Sequence, residues 1–299
     1  NPRLRRAGLF IFIRTVPIYK RRTAVYNLQL TDLITMAPQL TSSTAQLIQK
    51  LLEGPNLFDR FRSEAVSPVD LISAIESTKE SAAVPYLVLY ILNASGQTQE
   101  RAVNAVEFLV GKPHGIDLLR LDQSLRYQNY YEHSAKPPHW TKINPAHLDA
   151  LDGLLVSSCN IIGLLSFHGS GYVREAAARR LAALTTGDEL KYLLIRLNDW
   201  VPAVRIAARQ AVQARMRPEY ARIFATNIDL IERLTHWERV DHAQFINWIL
   251  EYLKSPECQA DVAALLQSPD AITRRLIYRL LATPGSNQIT TLLRQGLKD

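Results

Sequence analysis

Cysteine is nearly absent from this chain of 299 residues: Cys159 and Cys258 stand 99 positions apart. Two thiols so placed make no disulfide framework, and without a C-x-x-C there is no structural zinc signature, so both are expected buried and reduced. Glycine (12) and proline (15) are sparse as well, which argues against low-complexity or disordered organisation. Long apolar runs are missing. Leu9-Phe10-Ile11-Phe12-Ile13 is five residues long, far too short to span a bilayer, and it lacks the order of a signal peptide. Alternating strand-like runs are few beyond the first thirty residues. The common catalytic signatures are missing too. There is no H-E-x-x-H and no glycine-rich phosphate loop, and His168-Gly169-Ser170-Gly171 lacks the G-x-S-x-G spacing and a preceding strand. Neither cofactor nor metal is expected.

What is present is a repeat. Val173-Arg174-Glu175-Ala176-Ala177 returns 31 residues later as Val204-Arg205-Ile206-Ala207-Ala208. In the first copy Val173, Ala176, Ala177, Leu181 and Leu184 form one stripe of a 3.6-residue helix; Val204, Ala207, Ala208 and Val212 repeat it. Between the copies, Leu190, Leu193, Leu194 and Leu197 make a second apolar stripe, so the unit is a helical hairpin. A weaker register continues through Val240, Ala243 and Trp248, then Ile272, Leu276 and Leu280. Ser67-Pro68, Ser255-Pro256 and Ser268-Pro269, each followed by an acid, predict helix starts with serine as N-cap and proline at the first turn. Repeats of this length bury their apolar faces against their neighbours.

The pattern Asp199-x4-Val204-Arg205-x-Ala207-Ala208, with Val173-Arg174 before it, resembles the HEAT-like repeats common in bacterial proteins, best over residues 166–215 and more loosely to about 283. The resemblance implies an all-α fold: a right-handed α-solenoid of stacked antiparallel helix pairs over 146–299. A less regular helical region over 32–145 and a basic segment over 1–31 precede it. It also implies that Arg174 and Arg205 occupy equivalent sites in a structural ladder with acids such as Asp199. A non-enzymatic scaffold for a protein or peptide partner is the function it implies.

The formal charge of +7 is local. Seven of the 35 Lys and Arg lie in residues 1–31, which hold no acid, so residues 32–299 carry 28 of each sign. Within that neutral body, residues 166–222 have ten Lys/Arg to five Asp/Glu, and residues 223–270 have three to eight. Such a change of sign favours an oriented polar partner over a uniform nucleic-acid groove. The basic segment reads as a terminal cap of the array. Its rival is the cytoplasmic flank of a membrane anchor before Asn1. A cytoplasmic location is expected, with membrane attachment only through such an upstream segment.

Two stretches are candidate contact surfaces. Residues 112–146 break the helical rhythm and carry Tyr127, Tyr130, Tyr131, His139 and Trp140, rings suited to gripping a peptide or stacking on bases. Arg179, Arg180, Arg209, Arg215 and Arg217 form a basic set suited to an acidic partner. A second resemblance concerns catalysis. Trp237-x-x-Val240-Asp241, with Arg274-Arg275 some 34 residues on, is similar to the active-site region of HEAT-type alkylpurine DNA glycosylases. It implies substrate contact by Trp237, charge stabilisation by Asp241 and phosphate binding by Arg275. The acidic balance of 223–270 opposes DNA there. Nucleic-acid binding is therefore the second reading.

Overall fold

A computed structural model describes residues 40–54, 66–111, 118–127, 140–149, 151, 159–235 and 242–282, all within the unit 38–299. Its described residues hold fourteen α-helices, several 3-10 turns and no strand, so the all-α expectation holds. In chain order the helices are α1 (Ser42–Glu53), α2 (Pro68–Thr78), α3 (Val84–Asn93), α4 (Gly96–Val110) and α5 (Leu118–Tyr127). Then come α6 (Cys159–Leu165), α7 (Gly171–Ala183), α8 (Leu190–Arg196), α9 (Pro202–Ala214) and α10 (Ala221–Thr226). The last are α11 (Ile228–Leu234), α12 (Ala243–Lys254), α13 (Gln259–Ala264) and α14 (Ala271–Leu281).

Packing follows the chain closely. α2 sits on α1 and α4, α4 on α3 and α6, and α7 on α6, α8 and α9; further on, α8 meets α11, α10 meets α13 and α11 meets α14. Buried side chains form one continuous core from Ile48 to Leu280. The repeat stripe is where the pattern places it: Val173, Ala177 and Leu181 of α7, and Val204, Ala208 and Val212 of α9, are fully buried. Small alanines in that stripe let α7 and α9 approach closely. Gly163 on α6 takes this further, since a Cβ there would lie 2.4 Å from the Tyr192 ring.

Three helix starts share one geometry. α7, α9 and α14 have extended N-cap residues Ser170, Val201 and Asp270. Four residues on, an arginine folds back and its Nη1 donates to the two carbonyls just before the cap. Arg174 reaches His168 O (2.9 Å) and Gly169 O (2.7 Å), and Arg205 reaches Asp199 O (2.7 Å) and Trp200 O (3.1 Å). Arg274 reaches Ser268 O (2.7 Å) and Pro269 O (3.2 Å). The clasp satisfies carbonyls that the turn would otherwise leave without donors.

Leu276 and Leu280 of the last helix are buried as the pattern places them, but this geometry moves the first position of the stripe by one residue. The slot of Val173 and Val204 is filled by buried Thr273, while Ile272 is half exposed. Thr273 tolerates burial because its hydroxyl donates to Asp270 Oδ2 at 2.6 Å. The α12 register is corrected as well. Phe245, Ile246, Ile249 and Leu253 are buried there, whereas Ala243 and Trp248 face outward; Val240 lies outside the described residues.

Of the three serine-proline starts, only Ser67 caps its helix as expected, accepting from Asp70 N at 3.1 Å. At Ser268-Pro269-Asp270 the cap is Asp270, whose carboxylate accepts from both Ile272 N and Thr273 N. An aspartate with two oxygens displaces a serine that offers one. Ser255 instead ends α12, and α13 begins at Gln259.

Candidate partner-binding surface and its charged support

Beneath the surface of the α7–α9 hairpin lies a buried ionic cluster. Asp199, in the turn before α9, is fully buried and accepts from Arg174 through both oxygens, Nε to Oδ2 and Nη2 to Oδ1, each at 2.9 Å. Arg196 Nη1 and Arg126 Nη2 reach Oδ2 at 3.0 Å, and Val201 N reaches Oδ1 at 3.0 Å. Asp122 of α5 pairs with Arg126 (3.0 Å) and lies 2.5 Å from Arg196 Nη2. Three guanidinium groups therefore face two carboxylates, leaving one positive charge in excess.

Burial alone would raise the Asp199 pKa. The hydrogen bond from Arg174 and the charges of Arg196, Arg126 and Arg174 outweigh it and hold the carboxyl at about 2. Burial pulls Arg196 down to about 10 against the pull of Asp122 and Asp199, so it remains charged at neutral pH. Arg196 Nε, fully buried, has no acceptor among the described residues. Its Nη1 donates to Ser166 O (2.6 Å), just past the end of α6, and its guanidinium lies 5.1 Å from the Phe167 ring centroid.

A second buried pair closes the other end of the hairpin. Arg215 Nε donates to Glu189 Oε1 at 2.7 Å, and its Nη2 reaches the carbonyls of Leu181, Ala182 and Leu184 at the end of α7. A helix C-terminus leaves carbonyls unsatisfied, and this guanidinium serves them. Arg215 is thus withdrawn from the basic set proposed for an acidic partner.

The remaining members of that set are placed unevenly. Arg179 is exposed and pairs with Glu175 (2.8 Å), Arg180 is half-buried beside Asp149, and Arg217 is exposed near Glu219 (3.7 Å). Arg209 is exposed with its guanidinium 4.7 Å from the Phe245 ring centroid.

Of the aromatic set, Trp140 is buried rather than presented. Its carbonyl accepts from His168 Nε2 at 2.7 Å, and the two rings pack at 5.1 Å. Burial, above all, lowers the His168 pKa, so the ring is neutral, with Nδ1 accepting from Ser170 N at 3.0 Å. Tyr130, Tyr131 and His139 lie outside the described residues, as does the Tyr127 side chain. Trp237 and Asp241 also lie outside them, and Arg275 is exposed on α14.

Unanticipated are the large apolar side chains left outside. Tyr172 is 78% and Trp200 63% exposed, and Ile206 and Trp248 are at least half exposed. They occupy the starts and outer faces of α7, α9 and α12. Asp122–Arg126 and Arg196–Asp199 are local pairs, but the sequence carries no sign that they join, which happens only where Arg126 reaches Asp199 and Arg196 reaches Asp122. Among the described residues no three His, Cys, Asp or Glu gather as a metal site, and no helix is long and apolar enough to cross a membrane. Comparison with protein-family models, curated proteins and solved structures finds no match to this chain.

Proposed function

We propose that this chain is a right-handed α-solenoid of HEAT-like hairpins. It acts in the cytoplasm as a non-enzymatic scaffold, binding a protein or peptide partner along successive helices. The observation that carries the reading is the division of labour across the α7–α9 hairpin. Its buried charges fasten one helical pair to the next, while Tyr172, Trp200 and Ile206 stay in solvent on the same elements. Exposed aromatic side chains beside arginines are the residue types that dominate partner binding. The thrice-used arginine clasp and the packing of each helix on near neighbours in sequence support the repeat architecture.

The test is capture of a partner from native extract by wild type and by a Tyr172→Ser/Trp200→Ser variant of matching helicity and melting temperature. Loss of that partner with the variant supports the scaffold. Undiminished capture overturns it. So does steeply salt-dependent binding of duplex DNA, or release of bases from alkylated DNA that Asp241→Asn abolishes.

A further inference from the structure

The α7–α9 step supplies an internal template for what the next step lacks. Arg174 and Arg205 are equivalent: each lies four residues after its N-cap and spends Nη1 on the two carbonyls before it. Arg174 gives its other edge, Nε and Nη2, to the Asp199 carboxylate in two parallel bonds. Arg205 has the same fork, yet no carboxylate among the described residues meets it. One turn on, Arg209 lies on the same edge of α9 and also has no carboxylate partner among the described residues; it rests over Phe245. No acid occurs anywhere in α9. α9 packs far less closely on α12 than α7 packs on α9, and the seam is crossed by this arginine–ring contact. Trp248, half exposed, stacks edge-on against Phe245 with centroids 6.0 Å apart.

We propose that the seam between α9 and α12 is the docking site of an acidic peptide segment of the partner. This rests on the scaffold reading above and names the partner's chemistry. A side-chain carboxylate of the peptide takes on Arg205 the place that Asp199 takes on Arg174. A second acid meets Arg209, and an apolar side chain of the peptide lies against the half-exposed Trp248. Planar guanidinium forks match carboxylates in two bonds, and a pair of cations flanked by aromatic rings selects acids interspersed with apolar residues. A nucleic-acid strand fits less well. Two adjacent cations do not make a phosphate-tracking groove.

The experiment is fluorescence anisotropy on the full chain. One labelled peptide is four Glu-Glu-Leu repeats, a second is four Gln-Gln-Leu repeats, and a twelve-nucleotide single-stranded DNA is the third probe. Saturable binding of the glutamate peptide alone is expected. It should weaken about tenfold or more in Arg209→Gln and in Trp248→Ser, surface changes that leave the fold intact. Arg205→Lys should weaken it too, since lysine cannot offer two parallel bonds. Lys50→Gln, an exposed cation on α1, should not. Binding that is absent, indifferent to Arg209 and Trp248, equal for the glutamine peptide, or stronger for the DNA overturns the assignment. If a native partner is still captured through Tyr172 and Trp200 while the peptide fails, the scaffold reading survives and the seam assignment falls.

Discussion

Replacing Asp199 by Asn removes one charge and no volume. The change nevertheless leaves Arg174, Arg196 and Arg126, all buried or nearly so, facing an amide that presents donors where they need acceptors. Breaking one partner out of a buried ion pair costs about 3–5 kcal/mol, because the remaining charge stays desolvated. Part of this is measurable independently through protons. The Asp199 carboxyl falls from its ordinary 3.8 to about 2, which corresponds to about 2 kcal/mol. The folded pKa is depressed, so that stability is complete above about pH 4 and is lost as pH falls toward 2. Urea unfolding followed by circular dichroism at pH 7 and at pH 3 reads both quantities. Asp199→Asn should lose several kcal/mol at pH 7 and lose less than wild type on going to pH 3. A loss under about 1 kcal/mol at pH 7, or an unchanged pH response, would refute the claim that this carboxylate holds the cluster together.

Arg196→Met should cost less than half as much as Asp199→Asn, since removing the surplus cation leaves two arginines facing two aspartates; equal losses in urea unfolding would contradict this. Gly187→Ala should destabilise by about 1–3 kcal/mol, because φ is +93° and the new Cβ would lie 2.1 Å from Ile223 Cδ1; a melting temperature unchanged from wild type would count against that contact. His168 is buried and neutral with a depressed pKa, so stability is present above its unfolded pKa near 6.5 and declines as pH falls below it; His168→Gln should flatten that decline between pH 7 and 5. Burial pushes the Cys159 thiol up to about 12, and Cys258 is fully buried, so labelling by a thiol reagent at pH 8 should be slow until urea unfolds the chain.

The repeat could be read in the sequence because it rests on local periodicity. Val173 and Val204 fill matching slots, and Arg174 pairs with Asp199 as expected, whereas Arg205 meets no carboxylate among the described residues. Polarity hid the third copy. Thr273 is a poor candidate for a buried stripe until Asp270 is seen to take its hydroxyl, so Ile272 was favoured. The useful signal was a β-branched residue followed by arginine, four after the cap: Val173-Arg174, Val204-Arg205, Thr273-Arg274. Candidate contact residues were less accessible to such reasoning. Arg215 and Arg209 look alike in the sequence, yet one serves the carbonyls that end α7 and the other lies outside over a ring. Which is which depends on elements some thirty residues away. Likewise, nothing near Arg126 announces Asp199, 73 positions on.

The arginine clasp separates two jobs that most ion pairs combine. One side of the guanidinium shapes its own turn whatever lies beyond, so each hairpin start keeps its form without help from the following unit. The other side decides whether the neighbour is bolted on. An acid at the position of Asp199 ties α7 to the turn before α9, whereas Arg205 meets no carboxylate among the described residues and α9 packs far less closely on α12.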